Sequence, residues 1–225
     1  MAKYIRRTLT GSAGRRPGAS FTVAMLAAWL GVAGPAGAAF KFWSGLGANS
    51  TWTNAANWGG TIPNPGDDLV FQAGAARLVN TNTFAAGTVF NSITFLGTNY
   101  VIHGNALALG GVTGLSAQNA NGTNTFNLAL TLNTALVLEG TGAGATLLLG
   151  TNGSINLNGH DVTVNAVGAM RISGAISGSG SAVKNGAGKL TLDGPLANTY
   201  LGTTFVNAGT VELAKSIFDG ATQDR

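Results

Sequence analysis

The sequence predicts an all-β chain, a solenoid of very short stacked strands, and three observations carry that reading. Apolar residues alternate in small beads, such as Leu190 with Leu192 and Val211 with Leu213, between Gly and Asn turns. Glycine supplies 35 of the 225 residues, more than twice the usual share of about 7%. Charged residues make up only 9% of the chain while apolar ones reach 45%, the opposite of what keeps a Gly-rich chain disordered.

Residues 1–38 read as a secretory leader. Lys3, Arg6, Arg7, Arg15 and Arg16 form a basic start, Phe21 to Val32 an apolar stretch, and Ala36-Gly37-Ala38 a small-residue cleavage site. That apolar run is about a dozen residues, short of the roughly 20 that span a bilayer. With the leader set aside, seven basic residues face eight acidic ones. The net positive charge of the whole chain therefore belongs to the targeting segment and is no footprint of a nucleic-acid partner. Cysteine is absent, which excludes disulfides and thiolate metal sites. An exported chain of this kind must hold together by burial and backbone hydrogen bonds.

Residues 39–75 form a distinct opening module, with Phe40, Phe42, Trp43, Trp52, Trp58 and Phe71 concentrated in it. The first rung of a solenoid has no neighbour on one side, and large aromatics can close that end as a Trp-rich N-terminal cap. Pro63 and Pro65 suit an edge or a turn. Exposed instead of buried, Trp43, Trp52 and Trp58 would be candidate residues for stacking on a glycan.

Residues 76–215 continue as rungs. Leu128-x-Leu130-x-Leu132, Leu136-x-Leu138, Leu147-x-Leu149, Ile155-x-Leu157, Val162-x-Val164 and Met170-x-Ile172 follow one another too closely for helical crossovers. Three beads per turn imply a rung of roughly 20 to 28 residues and about seven or eight rungs at the strand spacing. The scarcity of charge suits stacking, because a charge repeated from rung to rung would face itself about 5 Å away. Asn-Gly at 121–122, 152–153, 158–159 and 185–186 fits sharp corners. The same dipeptide also marks hairpins, so an antiparallel β-sandwich stays open as the alternative. Residues 216–225 read as a continuation without a closing cap, as in a fragment or a chain that pairs with something.

Candidate chemistry is sparse. His103 and His160 have no metal-pair or triad context. Glu139 and Asp161 are 22 residues apart, about one rung, so they could approach as the paired carboxylates of a polysaccharide-degrading β-helix, with Arg171 and Lys184 stabilising charge. Asp67-Asp68 after Pro-Gly reads as a turn in preference to a calcium site.

One stretch carries a family resemblance. Gly178, Gly180, Lys184, Gly186, Gly188, Leu190, Leu192 and Gly194 give a Gly-rich turn, a lysine and a first strand. Asn198, Thr199, Tyr200, Gly202, Thr204, Val206, Asn207, Gly209, Thr210 and Leu213 continue the pattern. This resembles the autotransporter-associated beta-strand repeat of bacterial surface and secreted proteins, departing at Ser181, Ala182, Thr203 and the inserted Pro195-Leu196. The resemblance implies a right-handed parallel β-helix and an exported, non-catalytic passenger segment, structural or adhesive, at the cell surface or outer membrane. If the chain follows the autotransporter route, the resemblance also implies a membrane β-barrel translocator outside this chain; the residues themselves point to no cofactor or metal. A surface glycan or host protein is the candidate partner; a carbohydrate-binding module or polysaccharide-degrading enzyme is the alternative function.

Overall fold

A computed structural model of the chain describes residues 38–216, so the predicted leader up to residue 37 and the last nine residues lie outside the described part. Among the described residues the chain forms twenty strands and a single short 3-10 helix. They run β1 (Phe40–Trp43), the 3-10 turn Ala55–Trp58, then β2 (Asp68–Phe71), β3 (Val79–Asn82) and β4 (Thr88–Phe90). The next turns are β5 (Ser92–Phe95), β6 (Val101–Gly104), β7 (Leu107–Leu109), then β8 (Thr113–Ala117), β9 (Asn121–Phe126), β10 (Leu130–Leu132). They are followed by β11 (Leu136–Gly140), β12 (Gly144–Leu149), β13 (Ile155–Asn156), and β14 (Val162–Ala166), β15 (Ala169–Ile172), β16 (Ile176–Ser177). The last four are β17 (Ala182–Asn185), β18 (Lys189–Gly194), β19 (Thr204–Val206) and β20 (Thr210–Lys215).

Each strand pairs with its counterpart one turn away, giving three sheets of eight, seven and five strands. The first runs β1-β2-β5-β8-β11-β14-β17-β19, the second β3-β6-β9-β12-β15-β18-β20, and the third β4-β7-β10-β13-β16. Every ladder between these strands is parallel, which excludes the antiparallel sandwich. The eight-stranded sheet spans about 34 Å along the stack at the usual strand spacing of about 4.8 Å.

Five complete three-strand turns are followed by β17-β18 with an irregular third side, and by β19-β20. That is fewer than the seven or eight rungs expected. The segment between β1 and β2 builds the aromatic end in place of a rung, and turn length varies. Val164 pairs with Lys184, a step of 20 residues, whereas Leu136 pairs with Val162, a step of 26.

The core is a set of side-chain columns parallel to the stack. In the first sheet Leu69, Ile93, Leu115, Leu138 and Val164 follow one another in register and all are buried. Phe126, Leu149, Ile172 and Leu192 do the same in the second sheet, and Leu107, Leu130, Ile155 and Ile176 in the third. Alternation puts these residues inside, as period-2 patterning requires, although Asn80, Asn82, Asn124 and Ser116 are buried as well. The Asn-Gly dipeptides are not hairpins here. Asn158 and Gly159 both adopt left-handed backbone, with φ of 49° and 85°, in the corner between β13 and β14, which lie in different sheets.

Candidate functional site

The aromatic end comes from three elements. Trp43 closes β1, Trp52 follows the isolated bridge at Thr51, and Trp58 ends the 3-10 turn. That turn forms because Asn54 caps it, accepting the Ala56 N–H at 3.1 Å, and Gly59 ends it in left-handed conformation. Trp43 and Trp58 meet edge to face at 5.0 Å, and Trp52 stacks obliquely on Phe71 at 5.6 Å. Their relative exposures are 0% for Trp43 and Trp52 and 4% for Trp58. All three indole N–H groups are spent internally, on Arg77 O, Asn80 Oδ1 and Trp52 O. A sugar has no open ring face to stack on here, so the three tryptophans cover the end of the core.

The carboxylates considered for catalysis do not meet. Glu139 pairs in register with Ser116 on one side and Asn165 on the other. Asp161 precedes β14, level with the residue before Leu136, so it lies four residues back along the strand direction, about 13 Å away. Its carboxylate caps the next turn, accepting the Ser181 N–H at 2.7 Å. Arg171 and Lys184 belong to different sheets. His103 approaches Asn127 at 3.4 Å, while His160 sits in a turn, its N–H bonded to Leu157 O. No group of three His, Asp or Glu able to hold a metal ion occurs among the described residues. Asp67 and Asp68 diverge. Asp67 accepts backbone N–H groups from Ala39 and Asn64, whereas Asp68 accepts from Asn91 and Ser92 side chains.

Polar and charged groups concentrate in the last turns. Lys184 occupies the aliphatic column between Val164 and Val206 and is only 1% exposed. Its ammonium donates to Asn185 O at 2.6 Å, Gly186 O at 2.8 Å and Ala208 O at 3.4 Å, tying one corner to the corner above it. Burial pushes the ammonium below its ordinary range. Two residues further along the strands, the neighbouring column of the first sheet shrinks from Phe71 and Phe95 through Ala117 and Gly140 to Ala166, with Gly186 following, so small residues flank the lysine.

In the second sheet, Asp193 accepts from Ser173 Oγ at 2.7 Å and pairs with Arg171 one turn back. Burial alone would raise this carboxyl, but the hydrogen bonds from Arg171 and Ser173 and the charges of Arg171 and Lys215 hold it below its ordinary range. Lys215 reaches Gly174 O at 2.8 Å. Burial lowers its ammonium, and Asp193 offsets part of that.

The repeat-signature residues resolve into corner and column positions. Leu190 and Leu192 are buried between Met170 and Ile172 below and Val211 and Leu213 above. Asn198 accepts the Ile176 N–H at 3.0 Å, Thr199 N donates to Ile176 O at 2.8 Å, and the Tyr200 hydroxyl bonds Thr204. Gly186 and Gly194 have φ of 76° and 89°. A Cβ on Gly186 would sit 2.4 Å from Ala166 O, and one on Gly194 2.1 Å from Ser173 O. Gly188, Gly202 and Gly209 are equally crowded by carbonyls of the preceding turn. What this arrangement does chemically is stack: polar side chains and small residues bind backbone to backbone between turns. The sequence pattern showed Lys184 as part of the signature but not its burial, since an isolated lysine in an alternating strand reads equally well on either face.

Residues 183–213 match the family model of the passenger-associated-transport-repeat, covering β18, β19 and most of β17 and β20. No curated protein and no solved structure matches the chain. The repeat, seated on a parallel solenoid of about six turns, fits the chain to the β-helix repeat proteins of autotransporter passengers.

Proposed function

We propose that this chain is an exported passenger segment whose solenoid serves as a structural or adhesive scaffold at the cell surface, without catalysis. The observation that carries the reading is the passenger repeat at residues 183–213, placed where Lys184 and Asp193 fasten successive turns. The separation of Glu139 from Asp161 supports a non-enzymatic role. On this reading residues 1–38 are the leader, 39–75 the aromatic cap and 76–215 the rungs, with a β-barrel in the membrane passing the passenger outward. No helix among the described residues is long and apolar enough to cross a membrane, which says nothing of a β-barrel.

The test is surface exposure in the producing bacterium, read by protease shaving and antibody labelling of intact cells, with the purified chain screened for glycan binding and polysaccharide depolymerisation. Surface-exposed chain that turns over no polysaccharide supports the proposal, and glycan binding would favour the adhesive form. Turnover, or a chain confined to the cytoplasm, would overturn it.

A further inference from the structure

Asp67 is a buried carboxylate, 2% exposed, and the two ion pairs among the described residues, Arg171–Asp193 and Lys189–Glu212, do not include it. Its two oxygens receive backbone donors instead. Oδ2 accepts the Asn64 N–H at 2.8 Å and Oδ1 the Ala39 N–H at 3.1 Å. Ala39 itself is exposed and immediately precedes β1, and its carbonyl accepts the Asp68 N–H at 2.9 Å. The neighbouring charges are otherwise engaged: Asp68 by Asn91 and Ser92, Lys41 by Thr61 at 2.9 Å.

The nitrogen facing Asp67 is the one that a cut after the small-residue site Ala36-Gly37-Ala38 would release. We propose that the chain is processed between Ala38 and Ala39, and that the new α-ammonium of Ala39 forms a partly buried ion pair with Asp67 that locks the first strand of the solenoid in place. The inference rests on the export reading above. The reacting partner is an export peptidase of small-residue specificity. Water adds across the Ala38–Ala39 peptide bond, hydroxyl to the Ala38 carbonyl carbon and hydrogen to the Ala39 nitrogen, which takes a further proton from solvent to become the ammonium.

The geometry selects this bond over its neighbour. A cut after Ala39 would remove both the donor to Asp67 and the acceptor of the Asp68 N–H, leaving the exposed Phe40 as the end. A cut further upstream would leave Ala39 as an uncharged amide. Only the cut at Ala38–Ala39 places a cation on a carboxylate that otherwise has none beside it among the described residues, and an unpaired buried charge is costly.

The experiment is to express the full chain with its leader in a secreting bacterial host, identify the amino terminus of the exported product by mass spectrometry, and titrate the α-amine by NMR after reductive ¹³C-methylation. The expected product begins at Ala39, and its amine titrates about one pH unit above the ordinary α-amino range of about 7.7–8.0. Asp67→Asn returns it to that range. So does insertion of one glycine between Ala38 and Ala39, which keeps Asp67 and guards against a variant that fails to fold. An exported chain that begins elsewhere, or an Ala39 amine indifferent to both changes, overturns the proposal while leaving export intact. A chain neither shortened nor exported overturns the export reading and the proposal together.

Discussion

Glu139 stands beside Asn165 in the next turn, while Asp161 lies four residues back along the strand direction from it. Their spacing of 22 residues matched an average rung, but this particular turn takes 26. A paired-carboxylate mechanism needs groups within several ångströms. Glu139→Gln and Asp161→Asn are therefore expected to fold as the parent does, with the unfolding free energy changed by less than about 0.5 kcal/mol for Glu139→Gln and somewhat more for Asp161→Asn, which weakens the bond to Ser181 N–H. Urea titrations followed by circular dichroism check this. A loss of polysaccharide turnover in either variant would contradict the assignment of both residues to structural roles.

Lys184 joins two corners through Gly186 O and Ala208 O. Lys184→Met keeps the stem in the column but leaves these carbonyls without their charged donor, a loss of about 1–3 kcal/mol. Lys184→Ala adds a cavity and should cost more. Hydrogen exchange gives the sharper reading. The Asn207 N–H, bonded to Lys184 O at 2.9 Å, should lose protection in both variants, while the Leu130 N–H in the third sheet should not. Unchanged exchange at Asn207 would show that the ammonium does not fasten the two turns.

Glycine at the corners is required for two separable reasons. Gly186 combines a φ of 76° with Ala166 O only 2.4 Å from where a Cβ would stand, whereas Gly87, at φ of 81°, has nothing within 4 Å. Gly87→Ala should cost about 1–2 kcal/mol, the backbone penalty alone. Gly186→Ala must also move the neighbouring turn and should cost clearly more. Comparing the two by thermal unfolding separates conformational strain from crowding; equal effects would remove crowding from the explanation.

Trp52 is fully buried, with its indole N–H on Asn80 Oδ1 at 2.7 Å. Trp52→Ala should lower stability by about 3–5 kcal/mol. Fluorescence of the native chain should be blue-shifted and resistant to iodide. Strong quenching at native stability would mean that the aromatic end is open to ligands.

Much of this was legible because stacking repeats the same demand at every turn. Alternating Leu, Ile and Val residues fixed which face is inward, and Gly with Asn marked the corners. Rung length was read only as an average, since the corners between Gly140 and Val162 absorb extra residues without disturbing the apolar columns. The Glu139–Asp161 pairing failed for that reason. Asp67 and Asp68 read together as a turn, but Asp68 opens β2, and their donors come from Ala39 and from Asn91, 28 and 23 positions away. Only the closed stack brings those groups together.

Asp193 links pH to the cohesion of the last turns. It sits between Arg171 and Ser173 of the preceding turn, and its folded carboxyl titrates below its ordinary range. A carboxyl depressed in the folded state binds fewer protons there than in the unfolded chain. Its contribution is therefore complete above the unfolded value of about 3.9 and is lost as pH falls through the folded one. Because Arg171 remains 53% exposed, solvent screens the pair, and the loss should be modest, about 1 kcal/mol. Stability measured from pH 6 down to pH 2 should decline more steeply in the parent than in Asp193→Asn, which carries no titrating group at this position. Arg171→Gln should flatten the acid dependence in part, because the Ser173 hydroxyl and Lys215 still favour the carboxylate. Parallel acid profiles for all three chains would mean that the Arg171–Asp193 contact adds nothing to the joining of these turns.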